Sequence, residues 1–120
     1  MAKILIADDE EQILDVMKEV LEGAGHEVFG VVNGEEALKV LENWKFDLAF
    51  LDVMMPKLNG YQLAAKIHGL PHQPKVIIVT ARNFEKDENT IRRIGISAYL
   101  PKPFAKKDLL AIVEKLLSIQ

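Results

Sequence analysis

Three aspartates, a threonine and a lysine stand at the ends of short apolar runs in this chain. Asp8 and Asp9 follow Lys3 to Ala7 (KILIA), Asp52 follows Phe46 to Leu51, Thr80 follows Lys75 to Val79, and Lys102 follows Ser97 to Pro101. Brought to one place, the carboxylates repel one another and must either share protons or gather around a cation. Carboxylate oxygens, with a backbone carbonyl and water, suit a hard octahedral ion such as Mg2+ at roughly 2.0–2.1 Å. Such an ion completes its shell with a phosphoryl oxygen, Thr80 supplies a hydroxyl donor, and the Lys102 ammonium suits a phosphate oxygen. Together they describe phosphoryl transfer, in which positioning and charge neutralisation carry most of the catalysis. Asp52 is the first functional candidate.

The elements that must position these groups are legible from periodicity. Phe46 to Leu51 is almost wholly apolar and reads as a strand buried on both faces, as in a parallel sheet; Pro56 and Gly60 punctuate the loop beyond it. Asp8 is a candidate cap for the first helix, and Glu10 and Glu11 are accounted for as acids at its positive end. Ile13, Leu14, Met17, Val20, Leu21 and Ala24 form that helix's apolar stripe, which stops at Gly23 or Gly25. His26 to Val32 is a second strand, and Asn33 with Glu36 is a capping box for a helix over 34–43, with Ala37, Leu38 and Leu41 on its buried face. A third helix runs from Asn59 to His68, closed off by Gly69, Pro71 and Pro74. Lys75 to Val79 is rich in β-branched residues and predicts a central strand.

Residues 83–94 predict a loosely held helix, with a thin stripe of Phe84, Ile91 and Ile94 and a Glu88–Arg92 pair at i,i+4. Ser97 to Pro101 is a fifth strand, placed at an edge by the prolines at 101 and 103. Leu109, Ile112, Val113, Leu116 and Leu117 mark a last amphipathic helix, and Trp44 reads as peripheral packing. Strand and helix thus alternate along a single domain, 1–120, which predicts a doubly wound (βα)5 fold of the flavodoxin-like kind. Its parallel sheet has order 2-1-3-4-5 and its switch point lies between the first and third strands. That order sets Asp8, Asp9 and Asp52 side by side.

Composition narrows the function classes. The 120 residues are 49% hydrophobic and 28% charged with a formal net charge of −3, which offers no basic field for direct nucleic-acid binding. Without cysteine there is no thiolate metal site or disulfide framework, and His26, His68 and His72 form no ligand spacing. The start, MAKILIADDE, is too short an apolar segment for a signal peptide or membrane span, so a cytoplasmic location is expected.

These residues carry a resemblance. Asp8 and Asp9, Asp52 in LDVMMPKLNG, Thr80 followed by small Ala81, Tyr99, and Lys102-Pro103-Phe104 together resemble the receiver domains of bacterial response regulators, over the whole chain. The resemblance implies that a histidine kinase or phosphotransfer protein phosphorylates Asp52 and that Asp8, Asp9, Asp52 and the Met54 carbonyl hold Mg2+. It further implies that Thr80 and Lys102 bind the phosphoryl group, Tyr99 is the switch aromatic, and the Lys102–Pro103 bond is cis. The protein is then a signalling switch and not a turnover enzyme. A carboxylate can serve as nucleophile through a covalent aspartyl phosphate, whose charge pulls on Thr80 and Lys102. Tyr99 would enter the space that Thr80 vacates, so the surface over 83–104, with Ile94, Ile96, Tyr99 and Phe104, and the last-helix face are expected to meet the downstream partner or effector domain.

Several positions depart from the commonest family pattern. Asn59 replaces a frequent acid and caps a helix about as well. Met54, Ala81 and Arg82 are expected at the phosphoryl entrance, where the long side chains of Met54 and Arg82 shield it from water and slow self-hydrolysis. Ser97 and Ala98 stand where many DNA-binding regulators carry acids of a salt-bridged dimer. A phosphatase of the haloacid dehalogenase kind wants a second acid where Met54 stands, and a flavodoxin-type flavin carrier would find its phosphate repelled by Asp8 to Glu11. The remaining alternative is a receiver used as a phosphorylation-independent docking module. The chain stops soon after the last helix, so a stand-alone regulator, a relay component and a piece of a longer regulator all remain open.

Overall fold

The computed structural model describes residues 1–81 and 95–118. Five parallel strands, β1 (Lys3–Ala7), β2 (Glu27–Val31), β3 (Leu48–Asp52), β4 (Lys75–Thr80) and β5 (Ile96–Pro101), pair in the order β2-β1-β3-β4-β5. Helices α1 (Glu11–Gly23), α2 (Gly34–Asn43), α3 (Gly60–Ile67) and α4 (Lys106–Ser118) are described with them. The expected helix over 83–94, with Arg82, lies outside the described residues.

Strand side chains alternate between two cores, as a sheet covered on both faces requires. Ile4, Ile6, Leu48, Phe50, Ile77 and Val79 face one layer with Leu14, Met17, Leu21, Leu109, Val113 and Leu116. Leu5, Ala7, Ala49, Leu51, Val76 and Ile78 face the other with Ala37, Leu41, Leu63, Ala64 and Ile67. α1 and α4 therefore cover one face, and α2 and α3 the other. β5 is an edge strand, as the two prolines predicted, whereas β4 is paired on both sides.

Local chemistry sets most boundaries. α2 begins where the Asn33 side chain accepts from the Glu36 amide at 2.9 Å, and α3 where Asn59 and Gln62 form a reciprocal capping box. α1 closes ahead of Gly25, whose φ of 95° is the left-handed conformation glycine adopts freely. Asp8 is not the cap of α1. The N-cap is Glu10, no side chain caps this end, and Asp8 Oδ1 instead accepts from the Glu10 amide at 2.8 Å. Trp44 is peripheral, with the Lys3 ammonium 5.5 Å from its ring centroid and at similar range from Phe29 and Phe46.

Candidate functional site

The parallel order carries the ends of β1, β3, β4 and β5 to one edge of the sheet. Register sets Ala7 beside Leu51, Asp52 beside Val79, and Thr80 beside Pro101, so Asp8, Asp52, Thr80 and Lys102 emerge within two rows of each other. Asp8, Asp52 and Thr80 are the polar residues most deeply buried among those described. Burying a carboxylate is costly unless a cation or donors face it, and here Lys102 does. Its ammonium lies 3.3 Å from Asp8 Oδ2, 3.6 Å from Asp52 Oδ1 and 3.4 Å from Glu10 Oε1. The Lys102 amide donates to the Thr80 carbonyl at 2.9 Å, which fixes the start of this side chain against β4. The Lys102–Pro103 bond is cis, as the resemblance implied.

Burial does most to raise the Asp52 carboxyl, to about 6 from 3.8; the charge of Asp8 adds to it, Lys102 and the Met54 amide oppose it, and Asp9 contributes last. For Lys102, burial alone would lower the ammonium, yet the charges of Asp8 and Asp52, with hydrogen bonds to Asp8 and Glu10, outweigh it and raise the value above 10.5. Acid and lysine are thus mutually dependent, with negative charge in excess. Asp8, Asp9, Glu10 and Asp52 each offer a carboxylate oxygen, and these oxygens lie within 4.8 Å of one another. An all-oxygen donor set of that density fits a hard divalent cation.

The loop after β3 is shaped around Asp52. The Met54 amide approaches Asp52 Oδ1 at 3.4 Å, Lys57 takes a φ of 70°, and Gly60 packs directly on the Asp52 backbone. Met54 is 66% exposed and lines an open depression with Asp9, Pro56, Asn59 and Tyr61. Ala81 is exposed beside the site, and Arg82 lies outside the described residues. Tyr99 is half-buried on β5 opposite Ile78, two rows back from the level of Thr80, and packs against the core shared with α2 and α3.

Sequence reasoning missed Glu10. As a first-turn acid it had a sufficient local explanation, and only the fold brings its carboxylate onto Lys102. The signal available was the run of acids from Asp8 to Glu11 directly after a strand, longer than a helix start needs.

The model of the response regulator receiver domain matches residues 4–114. The chain belongs to this family. As a receiver domain it is 40% identical over 117 residues to the transcriptional regulatory protein CpxR of Escherichia coli, covering 98% of this chain and 50% of that protein. It is 36% identical over 115 residues to PhoP, the alkaline phosphatase synthesis transcriptional regulatory protein of Bacillus subtilis, covering 96% of this chain and 48% of that one. The receiver domain thus spans about half the length of the curated relatives it matches. Among solved structures it superposes on Vibrio cholerae CheY4 with a TM-score of 0.92 at 26% identity, covering 97% of this chain and 98% of that one. The receiver domain of the histidine kinase PA1611 from Pseudomonas aeruginosa, described with a magnesium ion coordinated in its active site cleft, gives a TM-score of 0.87 at 25% identity over 97% of each chain. The receiver domain is accordingly a two-component signalling module of the doubly wound, CheY-like fold. Among its described residues, no helix is long and apolar enough to cross a membrane.

Proposed function

We propose that this receiver domain is a Mg2+-dependent phosphoacceptor in which Asp52 takes a phosphoryl group from a histidine kinase or phosphotransfer protein. One observation carries the reading: a buried carboxylate at the end of the central strand, 3.6 Å from a lysine ammonium and gathered with three further acids. A carboxyl held near 6 is largely ionised at neutral pH while being a stronger base than a free aspartate. An Asp52 oxygen attacks phosphorus, the O–P bond forms as the donor's P–N bond breaks, and the imidazole leaves with the electron pair of that bond.

Asp8, Asp9 and Asp52, with the Met54 carbonyl, would hold Mg2+. When bound, the ion supplies charge neutralisation for the phosphoryl oxygens. The chain's own residues do the rest. Lys102 would shift from carboxylate to phosphoryl oxygen, and the Thr80 hydroxyl would donate to another. The added charge, roughly −1.5 to −2 by analogy with other phosphorylated side chains, draws Thr80 inward and lets Tyr99 follow. The 83–104 surface and the face of α4 would pass that change to a downstream protein or effector domain. An apolar groove lined by Ile13, Val16, Ala81, Pro103 and Phe104 opens beside Lys102, where a donor protein could present its phosphohistidine.

The test is intact mass after incubation with Mg2+ and acetyl phosphate. A gain of one phosphoryl group, absent from Asp52→Asn and from a magnesium-free sample, supports phosphotransfer. No adduct with either acetyl phosphate or candidate kinases would leave the docking module as the function.

A further inference from the structure

Glu10 stands where a helix normally takes its side-chain cap, yet its carboxylate does not cap α1. It reaches across the crevice to Lys102 instead, at 3.4 Å, while the Glu10 amide donates to Asp8 Oδ1 at 2.8 Å. The same backbone turn therefore holds Asp8 and aims Glu10. Asp8 and Asp52 are buried and Glu10 is exposed, so the ammonium is drawn both into the pocket and out toward solvent. The three distances, 3.3, 3.4 and 3.6 Å, show a shared ammonium whose longest contact is the one to Asp52. Among the described residues Glu10 is the acid that draws the ammonium away from the buried pair, and an Asp52 closely paired with lysine is less available to a cation or to phosphorus.

We propose that Glu10 is a positioning residue that keeps Lys102 at the mouth of the pocket and so leaves Asp52 open. When a divalent cation takes the carboxylates of Asp8 and Asp52, Glu10 gives the displaced ammonium a second partner within reach of an incoming phosphoryl oxygen. The inference rests on the phosphoacceptor reading and adds a residue to it. Glu10 acts through Lys102, not as a ligand of the cation.

A double-mutant cycle separates these roles. Mg2+ affinity is measured by calorimetry, and the rate of phosphorylation by acetyl phosphate, for wild type, Glu10→Gln, Glu10→Asp, Lys102→Met and Glu10→Gln with Lys102→Met. Glu10→Gln should weaken Mg2+ binding about threefold, the size a partly exposed ion pair commands, and slow phosphorylation. Glu10→Asp keeps the charge but is too short to reach Lys102, so it should fall with Glu10→Gln. In the Lys102→Met background, Glu10→Gln should change nothing. Wild-type behaviour of Glu10→Gln overturns the inference. So does an equal loss in the Lys102→Met background, or a Glu10→Asp variant that behaves as wild type, since either means that Glu10 acts through its charge on the cation. If wild type itself neither binds Mg2+ nor accepts a phosphoryl group, the phosphoacceptor reading falls, and the inference with it.

Discussion

Gly60 has no room for a side chain: a Cβ there would stand 2.6 Å from the carbonyl oxygen of Asp52. The N-terminus of α3 is thereby pressed against the backbone that carries the phosphoacceptor candidate, and the Gly60 amide donates to the Val53 carbonyl at 3.3 Å. The clash is with backbone, so no rotamer change relieves it. Gly60→Ala should destabilise the fold by about 1–3 kcal/mol, as overpacking does, and should lower phosphorylation of Asp52 by displacing it. Urea denaturation and the acetyl phosphate assay check the two effects.

Ionisation of Asp52 works against the fold. Its folded value, about 6, lies above the 3.8 of the free group, so the native state binds the proton more tightly than the unfolded chain does. That contribution is intact below pH 3.8 and is lost as pH rises through 6. Asp52→Asn removes it, and the variant should therefore exceed wild type by about 1–3 kcal/mol at pH 7 without added metal, with the gain shrinking toward pH 4. Paired urea melts across that range would expose the error if the difference between the two proteins did not change with pH.

A cation among the acids reverses this sign. Binding to the native state alone stabilises by about 2.7 kcal/mol at a hundredfold excess over Kd, so Mg2+ should raise the Tm of wild type. Asp9→Asn and Asp52→Asn should each lose most of the rise. A thermal melt with and without Mg2+ reads it, and an equal rise in the variants would place the ion elsewhere.

Met54 governs the lifetime of the phosphorylated form if its side chain folds over the phosphoryl group. It is 66% exposed in the unphosphorylated domain, at the rim of the depression that also includes Asp9. Truncation by Met54→Ala should speed the loss of the phosphoryl group by admitting water, with little change in stability because the side chain packs against little. The decay of the phosphorylated mass at fixed Mg2+ measures it.

Much of this fold was legible because its signals are local. KILIA, LAFLD and KVIIVT are strands whose alternate residues enter different cores, and a run apolar on both faces is what such a strand must be. Asn33 and Asn59 announce their helices through bonds within three residues. Asp8 shows the limit of that reasoning. Its composition suited a helix cap, but the helix starts later, and the carboxylate turns to the Glu10 amide and to Lys102.

The sequence by itself determined the order of strands and helices and which acids, hydroxyl and lysine end the strands, because burial and periodicity act between near neighbours in the chain. Only the tertiary structure decided that Glu10 shares the ammonium with Asp8 and Asp52. Lys102 and Asp8 are 94 positions apart, and the distances between such groups depend on how the crossovers bring β5 and α1 to the same end of the sheet. An ion pair is made or lost within about 4 Å, a margin that no spacing along the chain can specify.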